Sequence, residues 1–235
     1  MKDAFQQWWR RTQSQMALSL TMWAARRRLP RAVRNRPLKI ALSMGTFNPI
    51  HMWHLQVGQC AWDQFDLDFT MFIPNGDPPH KDGVVDKELR YQMVLAGIRG
   101  NPRFKASRIE LDRTGKSYTV DTLRGLKKRY GAAVELNLII GLDNLEGIKR
   151  WREADEIFKL ARILVAPRNA ETITREQIAA ELPADAKFDI IDCPNSDISS
   201  TTIRNWIKAG RARSADYVVP NAVRKIITRY GLYLR

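Results

Sequence analysis

Two clusters of side chains in this 235-residue chain have the types and spacing to work on phosphate. The first is Gly45-Thr46-Phe47-Asn48-Pro49-Ile50-His51-Met52-Trp53-His54. A glycine directly after an apolar run lets backbone approach a ligand closely. A phosphate held there meets the free N–H groups that begin the following helix. His51 and His54 lie three residues apart and share a face if the turn between them is helical. Two imidazoles so placed can donate hydrogen bonds to phosphate oxygens and stabilise charge that builds in a transition state. A structural pair or a zinc site is the competing reading; one further histidine, His80, completes the chain's three. The second cluster is Ile198-Ser199-Ser200-Thr201-Thr202-Ile203-Arg204. Hydroxyls ahead of an apolar-periodic run cap a helix, yet four in a row exceed what a cap needs. Arg204 falls one turn in, where it could reach an anion held at the same helix start.

The elements that must position these clusters alternate along the chain. Lys39–Ser43 is a short apolar run ending at Gly45, and Trp53–Gln64 reads as a helix. Phe69–Pro74 reads as a strand, Lys87–Arg99 as a helix and Phe104–Leu111 as a strand. Thr119–Tyr130 is a helix and Val134–Gly141 a strand, followed by short strands at Ile163–Pro167 and Phe188–Ile191. Thr201–Ala209 and Asn221–Tyr230 are the last helices. Strands rich in Ile, Leu and Val without polar alternation predict a parallel sheet covered on both faces. The expected fold class is α/β, a Rossmann-like doubly wound sheet flanked by helices in one catalytic domain.

Hydrophobic residues make up 44% and charged residues 27%, as a packed core requires, and no apolar run reaches the roughly 18 residues of a membrane-spanning helix. Cys60 and Cys193 lie far apart with no CxxC partner, which argues against a thiolate metal site or a disulfide framework and for a reducing, cytoplasmic compartment. The net charge of +14 is uneven: residues 1–36 carry nine Lys or Arg against Asp3, leaving about +6 on residues 37–235. Such a body suits an enzyme of anionic substrates, which its field steers inward. Residues 1–36 form a separate basic extension with three open readings. It is a disordered or loosely docked tail, an Arg-rich amphipathic helix touching an anionic surface or partner, or an upstream start ahead of Met16 or Met22. A basic nucleic-acid binder on an α/β scaffold is the rival of another class; the concentration of charge outside the motif-bearing body weighs against it.

Together the two clusters resemble the signatures of the HxGH nucleotidyltransferase superfamily, GGxFDPxHxGH and ISSTxxR. Intermediate segments are similar to those of bacterial nicotinate-nucleotide adenylyltransferases. Phe72-Ile73-Pro74-Asn75-Gly76-Asp77-Pro78-Pro79-His80-Lys81 resembles their FxPxxxPPHK, and Ser117-Tyr118-Thr119-Val120-Asp121-Thr122-Leu123 their SYTxDTL. Ile140-Gly141-Leu142-Asp143 with Trp151 resembles GxDxxxxxxxW, and the ending from Val219-Pro220 to Leu232-Tyr233 is also similar. The resemblance runs from about Lys39 to Leu234. Three positions depart from it: Met44 replaces the first glycine of the GG pair, Asn48 the Asp of FDP, and Trp53 the glycine of HxGH. Trp53 either points into the core or crowds the nucleotide.

The resemblance implies adenylyl transfer from ATP to nicotinate mononucleotide, giving deamido-NAD and pyrophosphate, with no enzyme nucleophile. It leaves nicotinamide mononucleotide or pantetheine phosphate as alternative acceptors within the superfamily. It assigns His51, His54 and Arg204 to catalysis, and Gly45, Thr46, Phe47, Ser199, Ser200 and Thr201 to ATP. Asn48, Lys81, Thr119, Asp143 and Trp151 fall to the mononucleotide, with the pyridine ring near Trp151 and backbone around Thr119 reading its carboxylate. Simpler readings stand beside these: a core aromatic for Trp151, a helix N-cap at Asn144 for Asp143, a solvated side chain for Lys81. Mg2+ is expected to arrive with ATP, held by phosphates and water. Nucleic acid is not required, and the oligomeric state is open.

Overall fold

Six short runs dominated by Ile, Leu, Val, Phe and Ala pair side by side: β1 (Lys39–Gly45), β2 (Phe69–Pro74), β3 (Phe104–Ala106), β4 (Glu135–Gly141), β5 (Ala161–Ala166) and β6 (Phe188–Ile190). In the computed structural model, which describes residues 36–76, 84–167, 174–194 and 196–234, every pairing is parallel and the strand order is β3-β2-β1-β4-β5-β6. The helices are α1 (Met52–Gln64), α2 (Lys87–Gly97), α3 (Thr119–Tyr130), α4 (Ala154–Leu160), α5 (Arg175–Glu181), α6 (Ser200–Lys208) and α7 (Asn221–Arg229). Leu38–Arg235 makes one compact unit. The expectation for residues 1–36 falls, apart from Arg36, outside the described residues.

Register explains why the strands carry no polar alternation. Ala41 pairs with Thr70 and Asn137, and Ser43 with Phe72 and Ile139, so these six share one face. α1 lies on that face, and Gly58 is what lets it approach. A Cβ there would come within 2.9 Å of the Phe72 ring, and the Thr70 hydroxyl donates to the Gly58 carbonyl at 2.8 Å. The opposite face carries Ile40, Leu42, Ile163 and Val165, all fully buried, and α4 packs against β5 and α3. A sheet buried on both faces needs apolar side chains on both. The doubly wound α/β architecture read from the sequence is the one observed.

Two core clusters carry the functional segments. Phe47, Ile50, Phe72 and Phe104 pack with Met93 and Val94 of α2, Ile203 and Ile207 of α6, and Val223 and Ile227 of α7. Ala41, Ile139 and Leu164 pack with Trp53, Val57 and Ala61 of α1 and with Ile191 and Cys193. At about 1.5–3 kcal/mol for each large apolar side chain buried, these clusters hold the starts of α1 and α6 against the sheet.

The expected strand Phe104–Leu111 is a correction. Pairing ends with Ser107 N–H donating to Phe72 O, and the chain then turns, Asp112 N–H meeting Arg108 O and Arg113 N–H meeting Glu110 O. α4 and α5 have no counterpart in the sequence reading. With seven residues each, they are too short for a 3.6-residue period to declare itself. Asp143 lies inside a 3-10 turn, Leu142–Asn144, so it is no N-cap for a helix at Asn144.

Candidate active site

The strand order reverses direction at β1 and β4, and at the carboxyl ends of these strands a cavity of about 720 Å³ opens. That is where an open parallel sheet binds ligands. Its wall takes in Ser43, Met44, Gly45, Thr46, Phe47 and Asn48 from the end of β1, His51, Trp53, His54 and Val57 from α1, and Gly141, Asp143 and Asn144 after β4. Ile198, Ser199, Ser200, Thr201 and Arg204 close it from α6. The two clusters singled out in the sequence, some 150 residues apart, thus face one space.

Their junction is covalently remote and tightly bonded. Ser200 Oγ donates to Pro49 O at 2.9 Å, and Arg204 Nη1 donates to Asn48 O at 3.0 Å. Arg204 Nη2 donates to Thr201 Oγ1 at 3.1 Å. From another side, Arg90 Nη1 donates to Thr46 O at 2.7 Å. Three carbonyl oxygens of the turn are thereby engaged by donors from other elements, so fewer bare acceptors oppose an incoming phosphate. Tyr233 Oη donates to Asn48 Oδ1 at 2.9 Å, and burial pushes its phenol well above the usual tyrosine range, keeping it a neutral donor. Asn48 is 5% exposed, and its side chain fixes the turn from inside. An amide preserves the acceptor that the Tyr233 hydroxyl requires.

The histidines are set by the backbone of α1. His51, 2% exposed, is the N-cap residue and His54 is the third residue of the helix. The His51 N–H donates to His54 Nδ1 at 3.2 Å. In the neutral imidazole an acceptor on Nδ1 puts the ring proton on Nε2, which makes His54 a donor on its other edge. The two rings stand 3.8 Å apart, and Phe47 meets the His54 ring edge-on at 5.0 Å. Phe47 holds a left-handed backbone, φ 49°, which a bulky residue adopts only where its surroundings force it. The 2% exposure of its ring supplies that force.

At the opposite wall Ser199 caps α6, its Oγ accepting from Thr202 N–H at 3.0 Å and lying 2.8 Å from Thr202 Oγ1. All four hydroxyls therefore have partners within the protein, and what α6 offers an anion is the first-turn N–H groups ahead of Thr202 together with the guanidinium of Arg204. Gly45 meets nothing closer to a Cβ than the Phe47 ring at 3.8 Å. The fold itself does not demand glycine at position 45. Trp53 settles both ways at once: it is 8% exposed within the α1 core cluster, and it also contributes to the cavity wall.

Thr119 and Trp151 are not part of this wall, and Lys81 lies outside the described residues. The residues beside Thr119 and Trp151 form a neighbouring region with the end of β2, tied together by other contacts. Gly76 N–H donates to Ser117 Oγ at 3.1 Å, and the Arg152 guanidinium sits 4.7 Å over the Tyr118 ring. Arg90 links the two regions. Besides Thr46 O it donates to Asn75 O at 2.7 Å, Gly76 O at 3.1 Å and Val85 O at 2.9 Å. Sequence reasoning missed it, although Arg90, Met93, Val94 and Gly97 occupy one helical face, of which Arg90, Met93 and Val94 are buried. It also missed Glu110, 1% exposed, which accepts from Thr122 Oγ1 at 2.7 Å and whose carboxyl burial raises above the ordinary 4.5.

A doubly wound sheet with two helix starts converging on a switch-point cavity is the class of site that holds a phosphorylated ligand. The Cytidylyltransferase-like family model matches residues 42–206. A Moorella thermoacetica protein described as "Probable nicotinate-nucleotide adenylyltransferase" is 38% identical over 203 residues, 84% of this chain and 93% of the relative. One of the same description from Thermoanaerobacter is 37% identical over 205 residues, 84% of this chain and 95% of the relative. The chain belongs to the nicotinate-nucleotide adenylyltransferase family. Among solved structures, Plasmodium falciparum nicotinic acid mononucleotide adenylyltransferase complexed with NaAD superimposes with a TM-score of 0.70 at 17% identity, covering 83% of this chain and 97% of that one; this is a likeness of fold.

Proposed function

We propose that this chain transfers the adenylyl group of ATP to nicotinate mononucleotide, giving deamido-NAD and pyrophosphate. One observation carries the reading: the starts of α1 and α6 face a single cavity and are bonded to each other through Ser200, Arg204, Asn48 and Pro49. A triphosphate laid across that junction reaches donors from both helices. The 5′-phosphate oxygen of the mononucleotide attacks the α-phosphorus of ATP, the bond to the β-phosphate oxygen breaks, and pyrophosphate leaves. No protein nucleophile takes part; catalysis is positioning and charge stabilisation. His54, with Nδ1 occupied by backbone, donates from Nε2 to an α-phosphate oxygen as charge builds there, and His51 stands beside it. Arg204 and the first-turn N–H groups of α6 hold the departing pyrophosphate. Gly45 keeps the end of β1 clear for the nucleotide, and Thr46, Phe47, Ser199, Ser200 and Thr201 shape the ATP side.

The mononucleotide occupies the neighbouring region, with its pyridinium ring on Trp151, its carboxylate read at the start of α3 by Thr119, Asp143 and Asn48 nearer the shared boundary, and Lys81 contacting its phosphate. No three His, Cys, Asp or Glu among the described residues gather as a metal group. Mg2+ would arrive with ATP, held mainly by phosphates and water, and would neutralise triphosphate charge. No helix among the described residues is long and apolar enough to cross a membrane. We read the enzyme as one of the cytoplasm and residues 1–36 as an extension dispensable for adenylyl transfer. Pyrophosphate release from ATP is the test, measured with nicotinate mononucleotide, nicotinamide mononucleotide and pantetheine phosphate as acceptors. The acid mononucleotide should give the highest kcat/KM and a deamido-NAD mass. Turnover with pantetheine phosphate alone would remove the proposed acceptor.

A further inference from the structure

The chain has two cysteines in 235 residues, 133 positions apart, and the fold brings their sulfurs to 2.9 Å. Cys60 lies on α1 and is partly exposed, while Cys193, beyond the end of β6, is 6% exposed; both are free thiols. Cysteines buried as small hydrophobes have no need of each other. A second pair of contacts fixes the same two segments. Gln64, four residues on from Cys60 and so on the same face of α1, donates from Nε2 to Asp192 O at 2.6 Å and accepts from Asp192 N–H at 2.8 Å. The residue before Cys193 is thus clamped to the helix one turn from Cys60, and the sulfurs face each other across a fixed gap. Closing it to the bonded length of about 2.05 Å takes a movement of less than about 1 Å.

We propose that Cys60 and Cys193 form a reversible intramolecular disulfide by exchange with a low-molecular-weight disulfide of the glutathione class. The partly exposed Cys60, as thiolate, attacks one sulfur of the small disulfide and releases one small thiol. Cys193 then gives up its proton, attacks the Cys60 sulfur of the mixed disulfide and releases the second. The protein loses two hydrogens and two electrons, and the small disulfide becomes two thiols. Burial and the neighbouring sulfur push the Cys193 thiol up, which keeps it protonated and leaves Cys60 as the point of entry, while the short gap between the sulfurs favours Cys193 in the resolving step. The link would join α1, the helix capped by His51, to the segment leading into α6, through the core cluster that contains Trp53. It would also close a long loop in the unfolded chain and so stabilise the fold.

The experiment equilibrates the full-length protein with oxidised and reduced glutathione at ratios up to strongly oxidising, quenches with an alkylating agent, and reads intact mass and peptide maps. Both thiols should disappear together, leaving protein two hydrogens lighter with no glutathione attached and one peptide pair joining positions 60 and 193. Dithiothreitol should reverse the change, and the oxidised form should melt at a higher temperature. Cys193→Ser should stop at glutathione bound to Cys60, and Cys60→Ser should leave Cys193 unmodified. A stable glutathione adduct on Cys60 in the unsubstituted protein would overturn the proposal. So would two alkylatable thiols at every ratio, or a disulfide between two chains.

Discussion

The two sides of the site are built differently. On the proposed ATP side, the turn Gly45–His51 is gripped by Arg90, Ser200, Arg204 and Tyr233, donors drawn from α2, α6 and the C-terminal segment. On the proposed acceptor side, Asn75–Gly76, Ser117–Tyr118 and Trp151–Arg152 lie on connecting segments, with Thr119 opening α3. Two contacts join them, Gly76 to Ser117 and Arg152 over Tyr118. The difference follows the chemistry. Groups that must meet charge developing at the α-phosphorus gain from being fixed before the reaction. Groups proposed to recognise one acceptor among several lie on loops or at a helix start, where sequence can vary over a constant scaffold.

The sharpest way to break this contrast is His54→Ala. The ATP-side account predicts a fall in kcat of about 10²–10³, the range for losing one preorganised donor, with little change in the KM for ATP. If the ring served only to pack on Phe47, the melting temperature would fall instead and kcat would hold.

Arg90→Lys tests the residue that spans both sides. Lysine keeps the charge but cannot reach four carbonyls in a planar fork. Urea titration should show a loss of about 2–3 kcal/mol, as for a buried charge left partly unpaired. KM should rise for both substrates together; an effect on one alone would place Arg90 on that side only.

Trp151→Ala should raise the KM for nicotinate mononucleotide about tenfold, the loss of a stacked cationic ring, and leave the KM for ATP alone. Equal rises for both would erase the proposed boundary between the sides.

The smallest effect concerns Glu110. Its carboxyl is raised by burial, so the folded state favours the protonated form. That contribution is fully present below the ordinary value of 4.5 and is lost as pH rises through the raised one. Glu110→Gln removes the titration. The melting temperature of the variant relative to the unsubstituted protein should therefore climb from acid to neutral pH; a flat difference would contradict the assignment.

Local pattern carried the sequence reading where the chain advertises its own boundaries. β2 ends at Pro74 and α3 ends before Gly131, whose φ of 93° suits glycine, and both were placed to the residue. The apolar residues Ile109 and Leu111 extended β3 on paper because alternation cannot tell a strand from a loop whose side chains are buried. Ile109 in fact lies against Gly125 of α3, where a Cβ would stand 3.0 Å from its Cδ1. The site was legible where helix starts are written as consecutive residues. It was not legible where contacts join distant positions, as Tyr233 meets Asn48 and Cys60 meets Cys193. Arg90 had a local signal, but its charge masked its place on the buried face of α2.

A crystal structure with a non-hydrolysable ATP analogue bears most directly on the shared cavity. The α-phosphate should lie within hydrogen-bond reach of His54 Nε2, and the β- and γ-phosphates at the first turn of α6 beside Arg204, with the β1–α1 turn unmoved. A triphosphate bound elsewhere, or a turn that reorganises to receive it, would contradict the account.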